Sequence, residues 1–358
     1  MTNARAITFY LPQFHPIPEN DEWWGKGFTE WTNTAKAKPL FRAHYQPHVP
    51  ADLGFYDLRC PETRRAQADL ARSYGIEGFC YYHYWFAGQR LLERPFNEVL
   101  ASGEPDFPFC VCWANQTWSG IWHGAPNRIL IEQTYPGDDD YIAHFYAMLP
   151  AFQDPRHIRV DGKPVFVVYR PTELPNTTHF ADLWRALAIK EGLPGLFLIG
   201  INHFDQWKPG AAGFDAAILQ KLPPKKGHIS WRHPLLKLKK AMHRGQLTVY
   251  DYKDVMDLFL RREEADYREY PCAIPNWDNT PRSGFNGLVL ENEHPDLFRR
   301  LIRRSISKVA KYPTEERLLF IKSWNEWAEG NHLEPDLKYG HAWLEVICDE
   351  LAQRSSSD

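Results

Sequence analysis

Leu318-Leu319-Phe320-Ile321-Lys322-Ser323-Trp324-Asn325-Glu326-Trp327-Ala328-Glu329-Gly330-Asn331-His332-Leu333-Glu334-Pro335 is the stretch from which the rest of the chain is read. Leu318 to Ile321 is a short apolar run of the length of a buried strand. Behind it come three carboxylates (Glu326, Glu329, Glu334), the indoles of Trp324 and Trp327, the Asn325 amide and the His332 imidazole. Glu326 and Glu329 are three apart, so one helical turn sets them on one side with Cβ atoms about 5–6 Å apart. Two carboxylates that close do not both ionise freely, so one pKa rises. Such a pair suits a proton donor and a base working on one substrate. The alternative is a strand end followed by an N-capping carboxylate.

Composition narrows the substrate. The chain has 358 residues with net charge −3, which gives no global attraction to nucleic acid or to a membrane. Aromatics make up 15% of the sequence, and many of its 14 Trp stand beside Asn, His, Glu or Gly rather than inside apolar runs. Sugar-binding clefts use such residues because the apolar face of a pyranose packs on a ring; an aromatic-rich core is the competing explanation. The cysteines Cys60, Cys80, Cys110, Cys112, Cys272 and Cys348 are scattered and read as buried free thiols, as in a reducing compartment. Residues 6–10 already form a strand with no long apolar run before them, and no run reaches membrane-spanning length. A cytoplasmic, soluble protein is expected.

Working outward from the quoted stretch, eight strands are predicted: 5–11, 76–82, 107–113, 164–169, 196–200, 215–219, 271–275 and 318–323. Helices are predicted at 61–74, 95–102, 138–152, 179–191, 251–264, 295–311 and 339–353, with a full helix after the fifth strand doubtful. Alternating strands and helices specify a single (β/α)₈ TIM barrel, an α/β fold with chemistry at the carboxyl ends of its strands. One domain over 1–358 with a frayed tail at 354–358 is expected. The long excursion after the first strand, to about residue 60, is expected to cover one end of the barrel.

A basic insertion follows strand six. Between Asp215 and Asp251 there is no acidic residue and eight basic ones: Lys221, Lys225, Lys226, Arg232, Lys237, Lys239, Lys240 and Arg244. A short amphipathic helix over 235–242 would suit peripheral contact of 221–244 with an anionic membrane, or with the phosphate of a lipid-linked or nucleotide-linked glycan. A solvated insertion is the plainer alternative.

Several motifs together resemble a known family. They are Phe9-Tyr10-Leu11-Pro12-Gln13-Phe14-His15, the run Trp23 to Trp31 with Pro39-Leu40-Phe41 and Tyr45-Gln46-Pro47, and Tyr81-Tyr82-His83-Tyr84-Trp85-Phe86. Trp113-Ala114-Asn115, Asp161-Gly162-Lys163-Pro164 and Trp324 to Gly330 complete the set. Over nearly its whole length the chain resembles the bacterial WbsX-type family of polysaccharide (O-antigen) biosynthesis proteins, related in turn to glycoside hydrolase family 99, the endo-α-mannosidases. The resemblance implies that Glu326 is the base drawing the proton from a sugar 2-hydroxyl, which then forms a 1,2-anhydro sugar. Glu329 becomes the general acid and later the base, with net retention and no covalent enzyme intermediate. Glu334 matches a trailing Glu of the hydrolases. Ala328 stands where they carry His.

Three functions follow as expectations. The first is an enzyme acting on a glycosidic bond of an oligo- or polysaccharide. The second is a glycosyltransferase of cell-surface polysaccharide assembly, and the third a catalytically silent glycan-binding protein. Substrate-binding residues are expected at strand ends: Tyr10, His15, Tyr82, His83, Trp113, Asn115, Tyr169, Asn202, Trp277, Asp278 and Asn325, with Glu334 beside them. Trp24 and Trp31 are expected to close over the sugar, and Asn325 to orient Glu326. No cofactor and no metal-ligand spacing is read. His15, His83 and His332 are taken as hydrogen-bonding groups or ordinary structural histidines. Asp138-Asp139-Asp140 is explained by charge at a helix N-terminus.

Overall fold

The computed structural model describes residues 4–120, 125–203, 207–225, 228–229, 247–260 and 263–352. Its centre is a ring of parallel strands: β1 (Arg5–Tyr10), β2 (Gly78–Phe86), β3 (Phe109–Trp113), β4 (Lys163–Val168), β5 (Phe197–Asn202), β6 (Ala216–Leu219), β7 (Glu269–Ala273) and β8 (Leu318–Ile321). Each pairs with the next, and β1 pairs with both β2 and β8, so the sheet closes. This is the (β/α)₈ TIM barrel expected from the sequence. The strands are nearly continuous apolar runs because both of their faces are covered.

The outer layer is α1 (Pro61–Ser73), α2 (Arg94–Ser102), α3 (Asp138–Gln153), α4 (Thr177–Lys190), α5 (Pro295–Val309) and α6 (Ala342–Ala352). Proline opens α1 where no N–H is needed, and Gly75 follows its end at φ +76°. Along α5, Phe298, Leu301, Ile302, Ser305 and Val309 are buried, the three-four spacing that turns one face to the barrel. After β5 the described residues hold only the 3₁₀ turn Gly210–Ala212.

Two expectations need correction. The helix predicted over 251–264 is a single turn, Tyr252–Val255, followed by the 3₁₀ turn Met256–Phe259 and an extended Leu260. Asp251 instead ends a short strand, Thr248–Asp251, which pairs in parallel with Leu288–Glu291 outside the barrel. Tyr252, Val255, Met256 and Phe259 are all buried, so apolar spacing alone did not separate a helix from a pair of turns. Among the cysteines, Cys60 is exposed and Cys348 half-buried, although all six are free thiols. The predicted basic helix at 235–242 and the tail at 354–358 lie outside the described residues. No helix among the described residues is long and apolar enough to cross a membrane.

The excursion after β1 contains the short helices Pro18–Trp24 and Glu30–Lys36. It lies across the carboxyl end of the barrel, where Trp31 packs on Trp327 with ring centroids 5.5 Å apart.

Candidate active site

Strand parity decides which side chains reach the barrel mouth. Successive residues of a strand point to opposite faces. Phe9 faces inward, stacked on Tyr82 at 5.4 Å and near Phe320 at 5.7 Å. Phe320 being inward, Lys322 two residues on points the same way. Its Nζ donates to Glu326 Oε1 at 2.8 Å and lies 4.0 Å from Glu329 Oε2.

The segment after β8 folds back as a hairpin, Asn325–Glu326 pairing with Asn331–His332 around the 3₁₀ turn Trp327–Glu329. Ser323 Oγ accepts from the backbone N–H of Glu326 at 2.8 Å and shapes the entry. Gly330 has φ +52°, and a Cβ there would stand 2.9 Å from Asp278. Only glycine meets both conditions. Asp278 N–H donates to the Glu329 carbonyl at 2.7 Å, which ties the hairpin to the end of β7.

Arg282 completes the charge arrangement. One guanidinium nitrogen donates to Glu329 Oε1 at 2.7 Å and another to the buried Glu30 carboxylate. Burial pushes Glu329 up, the neighbouring Glu326 pushes it further, and Arg282 and Lys322 only partly oppose them; it rises to about 8. Burial also acts on Glu326, but the Lys322 ammonium, a hydrogen bond with Glu329, and Arg282 outweigh it and hold Glu326 at about 2. The surroundings therefore favour one shared proton in the pair, with Glu329 raised and Glu326 lowered. Burial likewise raises Glu30, against the pull of Arg282.

Lys322, Glu326 and Glu329 border a cavity of about 610 Å³ whose other walls include Trp24, Tyr82, Tyr84, Trp118, Tyr169 and Trp277. Arg170 and Lys225 add basic groups to it, and His203 an imidazole whose pKa burial lowers to about 4. A second cavity of about 510 Å³ lies beyond Asp278 and Gly330, lined by His44, Tyr45, His48 and Lys338 among others.

Of the residues expected to bind substrate, Trp24, Tyr82, Tyr169 and Trp277 line the first cavity with Glu326 and Glu329. The others do not. Tyr10 points outward and donates to Gln67 Oε1 on α1 at 2.7 Å. His83 meets His144 of α3 at 2.9 Å, and Trp113 packs against His144 and Phe180 between α3 and α4. Asn202 donates to the Trp207 carbonyl and to Tyr267 Oη, while its neighbour His203 reaches the cavity. Each of these choices is one residue out of phase. Asn115 braces the loop after β4, accepting from Arg170 N–H at 2.8 Å. His15 bonds the Pro12 carbonyl at 3.0 Å, and Trp31 donates to the Tyr56 carbonyl at 2.8 Å. Asp278 accepts from Gln46 at 2.6 Å and contacts His44 at 2.6 Å, facing the second cavity. Asn325 clamps the Leu11 backbone, accepting at 2.7 Å and donating at 3.1 Å, rather than bonding Glu326. Glu334 lies beneath the hairpin, accepting from Trp327 Nε1 at 2.6 Å, Gln67 at 2.6 Å and Tyr56 Oη at 2.8 Å.

Sequence reading missed Lys322, Arg282, Glu30 and Tyr84. Lys322 was visible in principle, since it continues the inward parity of β8 and stands four residues before Glu326. Glu30 and Arg282 are 252 apart in sequence and become partners only on folding.

A family model described as Glycosyltransferase WbsX matches residues 6–347. Curated relatives from two strains of Xanthomonas campestris pv. campestris, both called uncharacterized protein WxcX, are 41% identical over 353 residues. That alignment covers 98% of this chain and 50% of theirs, so the chain spans about half the length of the curated relatives it matches. Among solved structures, a glycoside hydrolase-like protein superposes with TM-score 0.60 at 14% identity, covering 99% of this chain and 95% of that one. The GH99 endo-alpha-mannosidase of Bacteroides thetaiotaomicron, in complex with BIS-TRIS-propane, superposes with TM-score 0.57 at 13% identity, covering 98% and 96%. At such identities the likeness concerns the fold.

Proposed function

The chain belongs to the WbsX glycosyltransferase family, and on that premise we propose that it makes or breaks a glycosidic bond in the 610 Å³ cavity, with Glu326 and Glu329 as its acid–base pair. The observation that carries this reading is the arrangement of the pair on the cavity wall: Glu326 bound to the Lys322 ammonium at 2.8 Å and Glu329 to Arg282 at 2.7 Å, surroundings that hold Glu326 down and leave Glu329 raised. A protonated carboxyl beside an ionised one is what a donor and a base require.

Glu326 takes the proton of the sugar 2-hydroxyl as O2 bonds to C1. The C1–oxygen bond to the leaving group breaks, and that oxygen takes the Glu329 proton. A 1,2-anhydro sugar results. Glu329, now ionised, removes a proton from water or an acceptor hydroxyl, whose oxygen bonds to C1. The C1–O2 bond opens, O2 recovers the proton from Glu326, and the anomeric configuration is retained. Glu326 is a weak base while Lys322 holds it, so the scheme needs substrate to draw off that ammonium. Glu326 and Glu329 share one Lys322 ammonium, at 2.8 Å and 4.0 Å, so both carboxyls can reach a single sugar residue in the cavity.

Transfer to an acceptor is the second reading. It is favoured by the family's description and by Arg170 and Lys225 on the cavity wall, which suit a phosphate-bearing donor. Incubation with a panel of α-linked manno-, rhamno- and gluco-oligosaccharides, read by mass spectrometry beside Glu329→Gln, separates the two. Shortened products from the unaltered protein alone indicate hydrolysis. Lengthened products, or turnover only with an activated donor, indicate transfer. Equal products from the variant would remove Glu329 from the mechanism.

A further inference from the structure

On the side of the hairpin away from the acid–base pair, three buried ligand-type groups converge. They are His48 from the long first loop, and His332 and Asp336 from the segment after Glu329. His48 Nδ1 and His332 Nε2 are 2.9 Å apart, and His332 Nε2 is 3.6 Å from Asp336 Oδ2. Ligand atoms bound about 2.0–2.1 Å from a tetrahedral zinc stand roughly 3.3 Å from one another, and the two observed spacings bracket that value.

The surrounding bonds aim these atoms inward. His332 Nδ1 lies 3.0 Å from the Glu334 carbonyl, which only accepts. The ring proton therefore belongs on Nδ1, and the Nε2 lone pair faces His48 and Asp336. Asp336 uses its other oxygen, Oδ1, to accept from the backbone N–H groups of Lys338 at 2.9 Å and Tyr339 at 2.6 Å. A second imidazole nitrogen bonded to a backbone carbonyl, and a carboxylate held by amides, are how metal ligands are oriented. A hydrogen bond between the two imidazoles accounts for their contact. It leaves His332 Nε2 and Asp336 Oδ2 facing each other as two acceptors. His48 also lines the second cavity, which offers an ion a route and a solvent ligand.

We propose that His48, His332 and Asp336 bind a divalent transition metal ion, zinc by preference, through two imidazole nitrogens and one carboxylate oxygen. The ion clamps the first loop to the hairpin. His332 pairs across that hairpin with Asn325 and stacks under Trp327 at 3.8 Å, so the clamp steadies the turn that carries Glu326 and Glu329. It takes no part in the bond chemistry, and its test does not depend on turnover.

The test uses the full chain without an affinity tag, stripped with a chelator and titrated with Zn²⁺ against a chromophoric competitor. About one ion per chain is expected, with a rise in melting temperature on zinc addition. Asp336→Asn keeps the Oδ1 acceptor, and its fold is checked by far-UV circular dichroism. It should weaken zinc binding by at least about 100-fold and abolish the thermal shift. His48→Gln makes the same test should Asp336→Asn not fold. Cys60→Ser, at an exposed thiol, and His341→Ala, at a half-buried imidazole, remove alternative ligands and should leave binding intact. Failure of the unaltered chain to bind Zn²⁺, as an imidazolium at His332 paired with Asp336 would dictate, overturns the site. So does unchanged affinity in Asp336→Asn, or loss of binding in Cys60→Ser or His341→Ala.

Discussion

Glu329 and Glu334 stand five residues apart on one hairpin, and burial raises both, to about 8 and about 7. Their surroundings differ in kind. Glu329 opens on a cavity and faces another carboxylate, a lysine and an arginine. Glu334 is sealed beneath Trp327 and takes its hydrogen bonds from neutral donors, an indole, an amide and a phenol. A raised carboxyl pKa therefore identifies burial, and the catalytic candidate is the one that substrate can reach.

The largest expected effect separates the two glutamates directly. Glu329→Gln should lower turnover by roughly 10²–10⁴-fold, the range for loss of a general acid, with little change in melting temperature. Lys322→Met comes next. It strands the Glu326 carboxylate in a buried site and should cost about 3–5 kcal/mol in urea unfolding, while raising the Glu326 pKa. Glu334→Gln should behave oppositely to Glu329→Gln. It removes one acceptor from three donors, costs about 1–3 kcal/mol and leaves turnover largely intact. Should Glu334→Gln abolish turnover without loss of stability, the contrast drawn above fails.

The pH dependence of stability sharpens the same contrast. Glu329 and Glu334 have folded values above the ordinary 4.5, so their contribution is complete below that pH and is lost as pH rises through about 7 and about 8. Glu326, at about 2, contributes above 4.5 and loses that contribution as pH falls toward 2. Stability from these three groups should peak just below about pH 4.5 and decline toward pH 8, by up to about 1.4 kcal/mol per pH unit for each raised group. Glu334→Gln should flatten the decline below pH 7 and leave the part near pH 8. The smallest expected effect is that of Tyr10→Phe, at the far end of the Gln67–Glu334 network. It should cost about 0.5–1.5 kcal/mol in urea unfolding and leave KM unchanged.

The barrel was legible because each strand is a short apolar run with polar residues at its carboxyl end, and that pattern survives boundary errors as large as the four residues by which β2 runs past its expected end. The carboxylates Glu326 and Glu329 were legible as a candidate pair for the same reason, since they follow the end of β8. Side-chain direction was harder, because one residue of phase turns a strand inside out. Tyr10, His83, Trp113 and Asn202 are the result: aromatic or polar residues that face helices or loops, while Phe9, Tyr82, Tyr84 and His203 face the centre. Aromatic density beside polar residues marked Trp24 and Trp277, which line the first cavity. It misled at Trp31, whose indole bonds the Tyr56 backbone beneath the hairpin. The Arg282 bridge from Glu30 to Glu329 was beyond sequence reading, since no local pattern links the excursion after β1 to the end of β7.

The most direct test of the split pair is a carboxyl ¹³C NMR titration of protein labelled at glutamate, with Glu329→Gln and Glu334→Gln for assignment. The expected result is one resonance titrating near pH 8 that only Glu329→Gln removes, another near pH 7 that Glu334→Gln removes, and a Glu326 resonance still ionised at pH 4. A Glu329 carboxyl already ionised at pH 6 would contradict the account, leaving the cavity with two charged carboxylates and no proton to give.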